Sequence, residues 1–150
     1  MSGKSPSNRA SRTTATPTTS TSKEAMDQLL RLVEEHGLRL VERAGDTRGG
    51  YDPARRTIRL APGMSARTTR SVLAHELGHA VLDHSPSTHP LTRRRQERQA
   101  DAWAARQLIT PQAYAAAEAI RGPHRPSLAF ELDVTVELVT AYQALLRPAG

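Results

Sequence analysis

The chain has 150 residues, 37% of them hydrophobic and 3% aromatic, so its core is expected to consist mainly of Leu, Val, Ile and Ala side chains. It contains no cysteine, which excludes disulfides and thiolate metal sites. The formal net charge of +6 raises the question of nucleic-acid binding, but we interpret the excess as an arginine-rich surface, with contact to a polyanion as the alternative. No apolar run approaches the length of a membrane span, and the N-terminus has no apolar signal segment, so we expect a cytoplasmic protein without membrane association.

The first 22 residues differ in composition from the rest of the chain. They are mostly Ser, Thr and Pro with a few basic residues and no acid, and such a segment cannot bury enough apolar surface to offset its ordering entropy. We predict a disordered tail over residues 1–22 and a single domain over residues 23–148. Thr21-Ser22-Lys23-Glu24 is a capping-box pattern, and apolar residues follow at helical spacing up to Val33, which predicts a helix over 23–36.

A short pair of strands is predicted after this helix. The apolar residues that indicate it, on either side of a Gly-Gly turn, are Leu38, Leu40, Tyr51, Ile58 and Leu60. Polar and apolar residues alternate in the stretch RTIRL, as in a strand with one exposed face. We expect this strand, near residues 56–60, to bind an extended substrate along its edge.

Five helices are predicted in the remainder of the chain. The first can be capped by Ser65 and runs to about His84, where the two prolines of segment 85–92 break it. The other four are predicted at about 93–109, 111–121, 126–132 and 135–146. A helix, a small sheet and then a series of helices indicate the α+β fold class, with a small, mostly helical domain.

The helix after Ser65 contains the pentapeptide HELGH. On a helix, His75 and His79 lie on one face with Cβ atoms about 5–6 Å apart, so both imidazoles can bind one zinc ion. Glu76 is offset by one position and can take a proton from the water that such an ion activates. The apolar residues of this helix form a separate stripe, expected to face the core: Leu73, Leu77, Ala80 and Val81.

Catalytic zinc needs a third protein ligand, and a second pair of polar residues offers one. Glu97 and Asp101 lie four apart on an otherwise apolar face of the next predicted helix, where unpaired carboxylates would be costly to bury. A metal bound by Glu97, and a hydrogen bond from a ligating histidine to Asp101, would remove that cost. Gly78 leaves space beside the histidines for close packing or for substrate.

Other interpretations of these polar residues stay open. His89, in the predicted loop, is the chief rival for the third ligand. His84 has the wrong angle for the same ion and is expected to close its helix, and His124 is expected at the surface. The HELGH histidines could be ordinary core or surface residues, and Glu97 could belong to a solvated charge run with its arginine neighbours.

The stretch RSVLAHELGHAVLDH, followed by ERQADAWAARQLITP, resembles the ImmA/IrrE family of metallo-endopeptidases. The second stretch is similar to the family pattern E-x-x-A-[DN]-x-[FW]-A, followed after two or three residues by L-[LI]-x-P, and the resemblance covers roughly residues 51–146. It implies a zincin-like fold, with zinc as the cofactor. It also implies roles for five residues: ligands His75, His79 and Glu97, the general base Glu76, and Asp101 as partner of a ligating histidine. Gln99 and Thr110 replace an acidic residue and a methionine that the family often has.

The same resemblance implies a substrate class. Members act in bacteria, phages and mobile elements, and several cleave a helix-turn-helix transcriptional repressor. We therefore expect a zinc-dependent endopeptidase whose partner is a protein substrate such as a repressor, without nucleic-acid contact. Two imidazoles and one carboxylate suit zinc, with manganese and iron as alternatives. Candidate donors to the oxyanion are Tyr51, Tyr114 and His124.

Residues 127–146 have the apolar spacing of a helix-turn-helix unit. Their second helix has no Arg or Lys before Arg147, although such side chains usually read the major groove. We interpret the two helices as packing on the peptidase core or on a protein partner. Two alternative functions remain: a zinc-stabilised protein that sequesters a regulator without cutting it, and a small DNA-binding regulator that uses the basic tail and these helices.

Overall fold

The computed structural model describes residues 22–148, so the predicted tail lies outside it except for Ser22, the first residue of a helix. In chain order the elements are α1 (Ser22–Glu35), β1 (Arg39–Glu42), β2 (Gly49–Asp52), β3 (Thr57–Leu60), α2 (Ala66–Val81), α3 (Pro90–Leu108), α4 (Pro111–Arg121), α5 (Arg125–Leu132) and α6 (Val136–Leu146). This confirms the predicted α+β fold class, mostly helical with one small sheet. None of the helices described is long and apolar enough to cross a membrane.

The sheet has three strands where a pair was predicted. β3 is central, parallel to β1 and antiparallel to β2. Ile58 and Leu60 are buried while Thr57 and Arg59 are partly exposed, as the alternation in RTIRL predicts. Because β3 is hydrogen-bonded on both sides, its edge is not available to a substrate, and that prediction is wrong.

Arg59 fixes the connection between β1 and β2. Its guanidinium donates to the backbone oxygens of Arg43 and Thr47, each at 2.9 Å, and to the Thr47 hydroxyl at 2.7 Å. Gly45 lies against this guanidinium, since a Cβ atom there would be 2.9 Å from the Arg59 Cζ. These contacts hold in place the residues that lead into β2.

α2 is the central helix of the fold. It packs on α1, on α3 and on both β2 and β3. Leu73 and Leu77 are fully buried, as predicted, and Ala80 packs partly buried against the same core. α6 packs on α3 and α5 and buries Leu138, Val139 and Tyr142. The C-terminal helices therefore contribute to the core on which α3 rests.

Two helix boundaries lie about three residues from their predicted positions, whereas the other helix ends agree to within one residue. α2 ends at Val81, before His84, because Asp83 adopts a left-handed conformation with φ 56°. The amides of Asp83 and His84 donate to the carbonyl oxygens of Ala80 (3.2 Å) and His79 (2.9 Å), which is the Schellman pattern. α3 begins at Pro90 instead of about residue 93, because a proline is compatible with the first turn of a helix.

A largely buried arginine ties α2 to the turn between α5 and α6. Arg70, 5% exposed, donates to the carboxylate of Asp133 and to its backbone oxygen, the latter at 2.9 Å. The Nε atom of Arg67 lies 3.4 Å from the same carboxylate. The amide of Thr135 donates to the hydroxyl of Ser71 at 3.1 Å. The start of α6 is thereby held beside α2.

Candidate metal centre

Three side chains from α2 and α3 converge on one point. The Nε2 atoms of His75 and His79 are 3.1 Å apart. The Glu97 carboxylate places Oε2 at 3.1 Å from the first Nε2 and Oε1 at 3.0 Å from the second. Within the described part of the chain, these residues form a donor set that could hold a metal ion. A tetrahedral ion with bonds of roughly 2.0–2.1 Å keeps its ligand atoms about 3.3 Å apart, so the spacing and the His-His-Glu chemistry fit zinc.

Glu97 is more exposed than the sequence indicated. Its side chain is 60% exposed and that of Asp101 is 33% exposed. The predicted cost of burying two carboxylates on a core-facing stripe is therefore small for Glu97. What distinguishes Glu97 is its contact with both imidazoles, at the place where α3 borders an open cleft.

Asp101 orients His75. The Nδ1 atom of His75 donates to Oδ1 of Asp101 at 2.7 Å, so the Nε2 atom faces the donor set. Burial lowers the pKa of His75, but hydrogen bonds with Asp101 and Glu97 outweigh burial and raise that pKa to about 10. Hydrogen bonds from His75 and His79 hold the pKa of Glu97 well below its usual range. A metal ion that binds at Nε2 replaces a proton there.

His79 has a partner that the sequence analysis missed. Its Nδ1 atom lies 2.9 Å from Nδ1 of His84, and Nε2 of His84 lies 2.8 Å from Oε1 of Gln99. An amide oxygen only accepts, so Nε2 of His84 carries hydrogen, and in the neutral ring its Nδ1 accepts from the Nδ1–H of His79. When His79 is neutral, this order leaves its Nε2 unprotonated, as a metal ligand must be. The backbone of His84 closes α2, while its ring orients His79.

Glu76 is buried beside the two histidines, with 8% of its surface exposed. Burial raises the pKa of its carboxyl, while the charges of His75 and His79 lower it. Gly49 of β2 lies close by, since a Cβ atom there would be 3.4 Å from Cγ of Glu76 and 2.5 Å from Cγ1 of Val72. The carboxyl is thus confined between α2 and β2. Burial raises its pKa, which suits a group that takes and returns a proton.

The donor set lies in a cleft of about 1130 Å³. One side is lined by Thr47 to Tyr51, which include most of β2. Another is lined by residues of the loop after α2 and of the start of α3, and a third by Thr135, Glu137 and Leu138. Among residues 22–148, β2 pairs with β3 alone, so it is an edge strand beside the cleft. Such an edge can hydrogen-bond to an extended polypeptide.

The structure distinguishes among the remaining candidates for the oxyanion donor and for the third metal ligand. Tyr51 lines the cleft. Tyr114 is buried elsewhere, and its hydroxyl accepts a hydrogen bond from Gln143 at 3.2 Å. His124 is exposed at the start of α5. His89, the rival third ligand, is exposed just before α3 and does not belong to the donor set, where Glu97 stands instead.

The comparison with protein families agrees with this geometry. The family described as the IrrE N-terminal-like domain (Peptidase_M78) matches residues 33–141. The match includes all three strands, α2 and α3, and more than half of the chain. A comparison with curated proteins gives no match. The predicted resemblance is confirmed: the chain belongs to the ImmA/IrrE family, a family of metallopeptidases.

Proposed function

We propose that this chain is a zinc-dependent endopeptidase that cleaves a regulatory protein of a bacterium, phage or mobile element, with a helix-turn-helix repressor as the expected substrate. Membership of a metallopeptidase family supports the reaction class. The observation that carries the proposal is the convergence of His75, His79 and Glu97, next to the buried Glu76. Two imidazoles and one carboxylate are a known ligand set of catalytic zinc, which leaves a fourth position for water.

The roles of the protein side chains follow from their positions. A bound zinc ion would supply a water of lowered pKa and a positive charge beside the scissile carbonyl. Glu76 takes a proton from the attacking water and returns it to the departing amine. Its burial favours the protonated form between these two steps. Asp101 and His84 hold the two imidazoles so that each presents Nε2.

The substrate is proposed to lie extended along β2. Gly49 and Gly50 lack side chains, so another backbone can approach the strand closely. Tyr51, the one oxyanion candidate that lines the cleft, is the proposed donor to the scissile carbonyl oxygen. Because the bound segment must be extended, we expect cleavage in a loop or an unfolded segment of the target.

The proposal is tested with zinc-loaded protein and the repressors encoded beside its gene. Glu76→Gln should keep stoichiometric zinc and lose cleavage by about a hundredfold or more, because the proton acceptor is gone. Glu34→Gln, the same change on the exposed surface of α1, serves as the matched control and should cleave normally. Cleavage products are identified by mass spectrometry. Full activity of Glu76→Gln would remove Glu76 from its role, and tight repressor binding without cleavage by any variant would favour the sequestering protein.

A further inference from the structure

Three arginines of α3 line the cleft that contains the candidate metal centre: Arg93, Arg94 and Arg98. All three are exposed. We call them the arginine wall. Arg95 belongs to the same run and is equally exposed, but it does not line the cleft. The charge of the wall is therefore directed at a concave surface, whereas that of Arg95 is not.

The arginine wall has no acidic partner in the described part of the chain. No ion pair within residues 22–148 includes any of its members, and residues 1–21 contain no acid. Helical neighbours three or four residues away would ordinarily neutralise them, namely Glu97 for the first two and Asp101 for the third. Both carboxylates instead contact histidines, Glu97 at 3.0 and 3.1 Å and Asp101 at 2.7 Å. The two carboxylates that would otherwise neutralise the arginine wall are therefore engaged in the candidate metal centre.

This arrangement opposes the stability of α3. Arg94 and Arg98 lie four residues apart on the helix, a spacing at which like charges repel. The first turn of α3 contains no acid, although negative charge is favoured there. A surface that served solubility alone would intersperse charges of both signs. Positive charge that lies beside a cleft and lowers the local stability of α3 indicates a binding surface.

We propose that the arginine wall binds acidic side chains of the polypeptide in the cleft, and so selects target segments with Asp or Glu beside the stretch that pairs with β2. The inference rests on the proposed function, because the occupant is the substrate. Across the cleft, Arg48 is paired with Glu137 at 3.2 Å, so unbalanced positive charge lies on the α3 side. The free edge of β2 beside the cleft favours a polypeptide over a nucleic acid, because an edge strand can hydrogen-bond to an extended polypeptide backbone.

The test measures binding, not cleavage. Zinc-loaded Glu76→Gln protein is titrated into a dye-labelled extended peptide that carries a block of glutamates, and into the same peptide with glutamines, and fluorescence anisotropy is recorded. The glutamate peptide should bind about tenfold more tightly. Changing Arg93, Arg94 or Arg98 to Gln should weaken its binding by about two- to fivefold each, the range for one exposed ion pair. Arg95→Gln, which removes the same net charge, should leave binding unchanged.

Three results would overturn the inference. The first is equal binding of the two peptides, and the second is an equal loss in Arg95→Gln and Arg94→Gln, as non-specific attraction predicts. Tighter binding of a short DNA duplex, weakened by the same substitutions, would also overturn it and assign the wall to nucleic acid. The substituted side chains are exposed, and a melting temperature no lower than that of the parent protein verifies folding. Glutamate-selective binding together with failure to cleave any protein would support the binding role of the arginine wall and contradict the proposed peptidase activity. The two proposals can therefore fail separately.

Discussion

The missing side chain of Gly78 sets the distance between α2 and α3: a Cβ atom there would lie 2.9 Å from the carbonyl oxygen of Ala100 and 3.0 Å from its Cα. A backbone neighbour cannot swing aside as a flexible side chain can. Gly78 directly precedes His79, and Ala100 directly precedes Asp101. The contact therefore fixes how the two halves of the candidate metal centre face each other.

Gly78→Ala is expected to lower both stability and zinc affinity. Alanine gains about 1 kcal/mol of helix propensity. Overpacking costs about 1–3 kcal/mol, and a backbone neighbour at 2.9 Å that cannot move aside places the cost toward the upper end, so the loss prevails. Thermal unfolding and chelator competition measure the two effects. Gly50→Ala is the control, because a Cβ at that position meets nothing within 4 Å. Unchanged stability and affinity in Gly78→Ala would show that the helix spacing is not set by this contact.

Gln99→Met is expected to weaken zinc binding, because it removes the acceptor that fixes the tautomer of His84 and through it that of His79. Loss of such an indirect partner typically lowers metal affinity about 10- to 100-fold. Gln99→Glu keeps an acceptor and should stay near the wild-type affinity. Gln107→Met, on the same helix, is the control for a glutamine away from the histidines. If Gln99→Glu loses as much affinity as Gln99→Met, the hydrogen-bond order assigned here is wrong.

Asp133→Asn is expected to destabilise the protein at neutral pH more than in acid. Burial raises the pKa of Asp133, but a hydrogen bond from Ser22 and the charges of Arg70 and Arg67 outweigh it and hold that pKa below its ordinary value of 3.8. A carboxyl with a depressed pKa stabilises the fold above its unfolded pKa, and this contribution disappears as the pH falls through the folded pKa. The difference in melting temperature should be full above about pH 5 and shrink below 3.8.

Asparagine suits this test because it tolerates the left-handed backbone of Asp133, at φ 55°. Asp46→Asn, in the exposed connection before β2, should change the melting temperature little at either pH. A difference for Asp133→Asn that is independent of pH would mean that the effect arises from packing and not from charge.

The features that could be predicted from sequence are those with local signals. Helical periodicity places His75 and His79 on one face, and the same rule places Glu97 one turn before Asp101. Helix α4 has the bounds that were predicted, because Pro111 and Gly122 mark its ends. The repeated polar positions on two helices were enough to predict that these four side chains come together.

The features that could not be predicted depend on contacts distant in sequence or on single backbone angles. The order of the strands, with β3 in the centre and with β2 and β3 packed on α2, has no signature in the alternation of RTIRL. The left-handed conformation of Asp83 turns His84 back toward His79. An aspartate is only a weak sequence signal for a left-handed conformation. The exposure of Glu97 follows from the cleft, which appears only once α2, α3 and β2 are assembled.

The most direct test of the metal centre is the zinc content and zinc affinity of purified Glu97→Gln protein, compared with wild type and with His89→Gln. Wild type and His89→Gln should each bind one zinc ion per chain. Glu97→Gln should bind it about a hundredfold more weakly, because a charged ligand is replaced by a neutral amide. Wild-type stoichiometry and affinity in Glu97→Gln would contradict the assignment of His75, His79 and Glu97 as the ligands, and with it the proposed peptidase.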